Sequence, residues 1–399
     1  MEKDQKDVFC KHRERNYIDK ANMNYWKTPT QKQITAWLSR RTARTGVRRV
    51  VPLSAAIASE IGAVRNENQD RAVLVQGWDG DGRRFAVAAV ADGIGGMRDG
   101  GACAALALGA FVATIHNLSR SGPLGSEEWL SRAIFAANEA VYSNFRGTGG
   151  STLVAALVRP GSATFWGSVG DSRVYQTDNG WIRQLSVDDT IAGQLGKQDD
   201  GNIEQSKLLQ YIGMGSDLEP HIGVALSNPE SHLILTTDGV HYLAKNSNWF
   251  DKVVLNSPDP GSCAKRLIEV ATWCGGPDNA SVIVVPVIHE FDDDIEPLYD
   301  YLEAWDSHGD LQIIAEREQD VEPSKPSSLP PLEPDAAVSI SKKKVTPSNG
   351  RGNRSSGIEK TTVEKNKTNE KPSANKRILR KKTKTEVPQL LMDFPNKTN

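Results

Sequence analysis

Paired cysteines, long apolar runs and aromatic residues are what this sequence has least of. Its four cysteines, Cys10, Cys103, Cys263 and Cys274, form no CxxC pair and no His/Cys cluster at zinc-ligand spacing. That argues against a disulfide framework or a structural zinc and fits a reduced cytoplasm. No stretch has the roughly 20 consecutive apolar residues that span a bilayer, and the start, Met1-Glu2-Lys3-Asp4, carries no signal-peptide apolar region. A soluble chain with no membrane partner is therefore expected. The net charge of −2 is small only because blocks cancel: residues 1–50 hold 13 Lys/Arg against 5 Asp/Glu, residues 288–335 hold 2 against 15, and residues 341–399 hold 16 against 5.

What is present divides the 399 residues into four parts. Residues 1–51 form a basic extension with one helix, beginning at Thr28-Pro29 and running from Thr30 to Arg44, with Ile34, Trp37, Leu38 and Arg41 on one face. Residues 52–290 alternate short β-type runs with two longer Ala-rich stretches, as expected of one α/β domain. Phe85–Ala91, Thr152–Val158, Leu233–Thr237 and Ala280–Val287 read as strands, and Thr164–Val169 with Arg173–Gln176 as a hairpin across Gly170-Asp171-Ser172. Gly100–Leu118 and Glu127–Phe145 read as helices, the first apolar almost all round and so buried between layers. Residues 291–322 alternate acids with Tyr299, Tyr301, Leu302 and Trp305, compatible with a helix packed on the domain by its aromatic side. Residues 323–399 are too polar to offset chain entropy and are expected to be disordered.

Four aspartates stand where apolar runs meet turn residues: Asp70 in Asn68-Gln69-Asp70, Asp92 in Ala91-Asp92-Gly93-Ile94-Gly95-Gly96, Asp238 in Thr237-Asp238-Gly239, and Asp278 in Pro277-Asp278-Asn279. Any one alone reads more readily as a turn or cap residue than as a ligand. As a set they suit a hard divalent ion, because Mg²⁺ and Mn²⁺ take carboxylate oxygens and keep several waters. Two such ions about 3.5–4 Å apart activate a bridging water and clamp a phosphoryl group. A phosphate also needs a fixed cation, and Arg65 lies five residues before Asp70, on the same strand or at its mouth.

The order of these motifs resembles the PPM family, the metal-dependent serine/threonine protein phosphatases of type 2C, in their bacterial branch. The resemblance runs through Gly62-Ala63-Val64-Arg65, Asn68-Gln69-Asp70, Ala91 to Gly96, Gly150-Ser151-Thr152, Ser168 to Arg173, Leu185 to Asp188, Leu209 to Gly215, Thr237-Asp238-Gly239 and Pro277 to Val282. It implies an α+β fold, a four-layer α-β-β-α sandwich of two central antiparallel sheets flanked by helices. It implies two Mn²⁺ or Mg²⁺ ions: Asp92 bridging both, the Gly93 carbonyl and Asp70 completing one site, Asp238 and Asp278 holding the other, with Arg65 gripping the phosphate. The implied activity is hydrolysis of phosphoserine and phosphothreonine in proteins, opposing a Ser/Thr kinase, with no nucleophilic Cys or Ser.

The chain departs from the family pattern in places. Ile94 stands where many eukaryotic relatives carry a histidine, and Gln69 replaces a glutamate beside the ligand Asp70 while keeping a hydrogen-bonding group. Gly147 stands where relatives with a third metal place an aspartate, so the third site is expected to be weak or absent. Asp189–Lys207, the presumed flap over the cleft, lacks the family's usual elements there. Asp171 either satisfies turn amides or supports the metal waters, and Asp188 with Asp189 reads as a helix start. The basic tail offers a nucleic-acid contact of low expectation, and the apolar island Pro388–Phe394, with Gln389 to Phe394 at its centre, reads as a short partner-binding motif. The rival to an enzyme is a phosphatase-fold regulatory protein acting through its charged extensions.

Overall fold

Phe85, Val87, Ala89 and Ala91 belong to one buried apolar cluster, and Ala86, Ala88 and Val90 to a second. Because side chains alternate across a strand, this single apolar run faces two cores, and the architecture follows from that. The computed structural model describes residues 28–122, 124–195, 207–242, 248–288, 291 and 301–314. Residues 323–399, with the tail and its motif at 388–394, lie outside the described residues, as do residues 1–27 and 196–206 of the presumed flap.

Two antiparallel sheets stack face to face. The seven-stranded sheet runs β13 (Asp310–Ile314), β12 (Tyr301–Trp305), β3 (Arg71–Trp78), β4 (Arg84–Ala91), β5 (Leu153–Val158), β6 (Phe165–Val169) and β9 (His221–Val224). The six-stranded sheet runs β1 (Thr45–Val50), β2 (Ala55–Glu60), β11 (Ala280–Pro286), β10 (His232–Thr236), β7 (Arg173–Asp178) and β8 (Trp181–Gln184). Leu74, Ala88, Val154, Leu235 and Ile283 fill the core between them. Helices α1 (Pro29–Leu38), α2 (Gly100–Ser119) and α3 (Ser126–Phe145) cover the outer face of the seven-stranded sheet, where Ile34, Leu108, Phe111, Trp129 and Ile134 pack on Val73, Phe85 and Leu157. Four further helices follow, α4 (Ile191–Gln194), α5 (Asp238–His241), α6 (Trp249–Leu255) and α7 (Pro260–Trp273), the last lying on β2 and β11. The sandwich expected from the motifs is present.

The remaining expectations fare unevenly. Helix α1 is capped by Thr28, whose Oγ1 accepts the Gln31 N–H at 3.1 Å, with Pro29 in its first turn. It ends at Leu38 rather than Arg44, because the chain then becomes strand β1, which pairs with β2 along its whole length. The sandwich therefore begins before residue 52. By length and composition α2 could cross a membrane, contrary to the expectation that no segment could, but 78% of its most apolar window is buried in the protein.

Two sequence readings are overturned. Phe165–Val169 and Arg173–Asp178 do not form a hairpin: β6 pairs with β5 and β9, whereas β7 pairs with β10 and β8 in the other sheet. Residues 170–172 carry the chain from one sheet to the other. The aromatic part of 291–322 is not a helix but the β12–β13 hairpin, added to the edge of β3 through Leu302↔Gly77 and Trp305↔Leu74. An open strand edge offers unpaired N–H and C=O groups, and Tyr, Leu and Trp suit a half-buried pleat, so tertiary pairing outweighed local periodicity. The oppositely charged blocks do meet there: Arg40 pairs with Asp306 at 2.7 Å and Arg48 with Asp310 at 2.8 Å.

Candidate metal centre and phosphate cleft

The even-numbered row of β4 faces the other sheet, and Asp92 is the next residue of that row, placed one step past the strand. Asp70 continues the row of Ala72 and Leu74 on β3 in the same way, and Thr152 the row of Val154 on β5. From the opposite sheet, Thr237 extends the row of Leu235, and Asn279 and Ser281 that of Ile283. The polar residues thus gather where the inter-sheet core ends. A cleft of about 430 Å³ opens there, with Arg65, Gln69, Asp92, Asp171, Asp238 and Asp278 among its lining.

Asp92 is held through its own backbone. Its N–H donates to Thr152 Oγ1 at 3.0 Å, and its carbonyl accepts the Thr152 N–H at 2.8 Å and the Ser151 hydroxyl at 2.7 Å. At Gly93 the chain passes so close to Gly100 that a Cβ would lie 2.3 Å from the Gly100 carbonyl, so only glycine fits. Gly239, beside Asp238, is equally confined: its Cβ would lie 1.9 Å from the Asn279 carbonyl oxygen. The two sheets are joined by the Thr237 hydroxyl, which donates to Asp70 Oδ2 at 2.8 Å and accepts the Ser281 N–H at 2.9 Å.

Asp70 is buried, and Asp92, Asp171, Asp238 and Asp278 are half-buried. Asp238 lies within hydrogen-bond reach of Asp92. Loss of solvent, and then the neighbouring carboxylates, push Asp70, Asp92, Asp171 and Asp238 above the usual carboxylate range. Asp70 Oδ1 and Asp238 Oδ1 are buried with no hydrogen-bond partner among the described residues. Buried oxygens of this kind are costly unless something else binds them, so the donor set fits hard divalent cations. Among the described residues no three His, Cys, Asp or Glu side chains converge as a ready-made cage for one ion. The acids are spread along the cleft instead, as suits ions that complete their shells with water and backbone oxygen.

Arg65 lies in the loop between β2 and β3 and not on a strand, which corrects one alternative of the sequence reading. Its Nη2 donates to Asp278 Oδ2 at 2.7 Å, and that hydrogen bond raises its already high pKa. Gln69 lines the cleft and is held by its backbone N–H, which donates to Asn279 Oδ1 at 2.8 Å. Asp171 also lines the cleft, in the crossing between sheets rather than in a hairpin. Asp188 makes a forked pair with Arg173, Nη2 to Oδ2 at 2.7 Å and Nε to Oδ1 at 2.9 Å, and the cap of α4 is Thr190. The cleft's described lining contains no cysteine, serine or histidine. Cys103 and Cys263 are buried free thiols pushed up to about 11 and about 12, chiefly by desolvation, and Cys274 is an exposed free thiol.

Sequence reasoning left Asn279 without a role and read Asp189 only as part of a helix start. Asn279 binds the Arg65 loop to the end of β11: its Nδ2 donates to the Ile61 and Glu67 carbonyls at 2.9 and 3.0 Å, while its own N–H donates to Asp278 Oδ1 at 2.8 Å. Its place beside Asp278 in a quoted motif was the available signal. Asp189 is fully buried and accepts from the Gly170 N–H and Gln210 Nε2, each at 2.9 Å, with His221 Nε2 also at 2.9 Å. Nothing local to its sequence showed those distant partners.

The family described as Protein phosphatase 2C matches residues 63–269, more than half of the chain. The serine/threonine protein phosphatase PstP of Mycobacterium tuberculosis is 27% identical over 245 residues, covering 58% of this chain and 45% of that protein. The serine/threonine phosphatase stp of Listeria monocytogenes is 26% identical over 250 residues, 58% of this chain and 95% of that one. The crystal structure of serine/threonine phosphatase Stp1 from Staphylococcus aureus superposes with a TM-score of 0.50 at 20% identity, covering 63% of this chain and all of that one, a likeness of fold. With ordered motifs, a two-sheet sandwich and a carboxylate cleft on the same residues, the chain belongs to the protein phosphatase 2C family, the metal-dependent serine/threonine protein phosphatases.

Proposed function

We propose that the cleft hydrolyses phosphoserine and phosphothreonine in proteins with two Mn²⁺ or Mg²⁺ ions, and that Asp70, Asp92, the Gly93 carbonyl, Asp238 and Asp278 hold them. The observation that carries this reading is the pair of partnerless buried oxygens, Asp70 Oδ1 and Asp238 Oδ1, within a cluster of mutually repelling carboxylates. Divalent ions bound there supply an activated water and neutralise charge developing on the phosphoryl group. The chain's own residues do the remaining work. Asp92 is fixed from both sides of its peptide, so its carboxylate is positioned before substrate arrives. Arg65 presents a fork to the phosphate, drawn from its present partner Asp278. Gln69 and Asp171 support the waters around the carboxylates.

In this reading the cleft's aspartates are taken up as metal ligands and the Thr152 hydroxyl is engaged by the Asp92 N–H and Ser172, so an activated water serves as the nucleophile. Ile94 has no proton to give, so protonation of the leaving oxygen falls to a bound water or another group of the cleft, or matters less. Phosphoproteins as substrates imply a Ser/Thr kinase as counterpart, and the free thiols fit a cytoplasmic setting.

Hydrolysis of a phosphothreonine peptide and of an aryl phosphate, with added Mn²⁺ or Mg²⁺, tests the reading. Activity is expected to disappear with EDTA and in Asp92→Ala and Asp238→Ala. Turnover that persists with EDTA, or none with either metal on both substrates, would refute it.

A further inference from the structure

Resting on that reading, we propose that Lys207 and the apolar wall beside it form the subsite that reads residues flanking the phosphorylated side chain, with Lys207 selecting an acidic neighbour. The cleft has two kinds of lining. Around Asp92 it is carboxylate, whereas Ile94, Met97, Leu208 and Tyr211 give it an apolar wall, with Lys207 exposed in the same lining. Ile94 and Tyr211 close on each other over Gly150, where a Cβ would lie 3.0 Å from Ile94 Cδ1 and 2.5 Å from Tyr211 Cδ2. Such a surface has no role in holding a phosphate, and it suits the side chains next to one.

The segment carrying Lys207 is set by its backbone. Leu208 bridges to Thr190, the Leu209 N–H donates to the Asp189 carbonyl at 2.7 Å, and Ile212 and Ser151 exchange both backbone hydrogen bonds at 2.7 and 3.1 Å. The Asp189 carboxylate adds the Gln210 and His221 contacts, so the buried hub locks this segment to the domain. Lys207 therefore leaves a fixed backbone point.

Charge decides what it reads. Of the two cations in the cleft's described lining, Arg65 is held by Asp278, whereas among the described residues Lys207 has no carboxylate partner. A cation with no described carboxylate partner in the cleft lining favours an incoming acid over a base, by attraction and by repulsion of the alternative.

The test uses the full chain with Mn²⁺ and three phosphothreonine peptides carrying Asp, Gln or Lys beside the phosphoresidue, with an aryl phosphate as a substrate lacking flanking residues. Wild type is expected to show a KM about threefold lower for the Asp peptide than for the Gln peptide, the scale of one exposed ion pair, and the difference should shrink in high salt. Lys207→Gln should abolish the preference and Lys207→Glu should invert it, at unchanged kcat and unchanged aryl phosphate turnover. An unaltered peptide preference in Lys207→Glu would overturn the proposal, as would loss of aryl phosphate turnover, which would place Lys207 on the phosphate itself. No turnover of any substrate by wild type would instead remove the phosphatase reading and this subsite with it.

Discussion

Asn279 makes four hydrogen bonds: its side-chain amide holds Ile61, Glu67 and Gln69 of the Arg65 loop, and its backbone N–H donates to the Asp278 carboxylate. Replacing it by Ala frees two loop carbonyls and one N–H without touching the carboxylates. Partners of this kind around a metal site are worth about 10–100-fold in affinity or activity, so Asn279→Ala should lower Mn²⁺ affinity by that order, read by titrating activity against metal. Arg65 differs, because its proposed role is to meet the substrate's phosphate directly. If it grips the ground-state phosphate, Arg65→Ala raises KM more than it lowers kcat, and Arg65→Lys recovers little because an ammonium lacks the fork. Steady-state kinetics on a phosphopeptide decide this, and an unchanged KM would assign Arg65 another role.

At the scale of elements, α1 and α2 meet where Gly109 leaves room for Thr35. A Cβ on Gly109 would lie 2.0 Å from Thr35 Oγ1, and that hydroxyl is buried without a partner. Ala would raise helix propensity by up to about 1 kcal/mol, but overpacking costs about 1–3 kcal/mol, and the β-branched Thr35 has few rotamers to escape into. Gly109→Ala is therefore expected to lower Tm, and adding Thr35→Ala to restore it; additive effects in calorimetry would show that the two sites are not in contact. Strands were legible where apolar runs are buried on both faces, as in Phe85–Ala91. Their partners were not: β6 and β7 follow each other across three residues yet join different sheets, since turn composition reports a change of direction and not which edge receives the strand. Tyr301–Trp305 lost its helical reading for the same reason, the free edge of β3 lying more than 200 residues away in the chain.

For the whole molecule, the carboxylate cluster couples stability to pH and metal. Asp70, Asp92, Asp171 and Asp238 titrate above their ordinary values in the metal-free fold, first through desolvation. The folded state then holds protons that the unfolded chain releases above about pH 4, so stability falls as pH rises from there through the raised values. The metal-free protein is expected to melt at higher temperature at pH 6 than at pH 8. Bound metal needs the ionised forms and displaces those protons, so saturating Mn²⁺ should raise Tm, by the equivalent of about 2.7 kcal/mol at a hundredfold excess over Kd, and more at pH 8 than at pH 6. Thermal melts with EDTA or Mn²⁺ at the two pH values measure both effects. A metal-free Tm that rises with pH would contradict the buried cluster.

The sequence by itself determined that four aspartates end apolar runs, that glycines flank Asp92 and Asp238, and that the motifs follow the phosphatase order, because strand period and close backbone approach are written in neighbouring residues. Only the tertiary structure decided that Asp70 and Asp92 come from one sheet and Asp238 and Asp278 from the ends of the other, that Arg65 leaves a loop to pair with Asp278, and that Asn279 and Asp189 tie the cleft together. Those contacts join residues far apart in the chain, and their geometry exists only once two cores have packed against the same central strands.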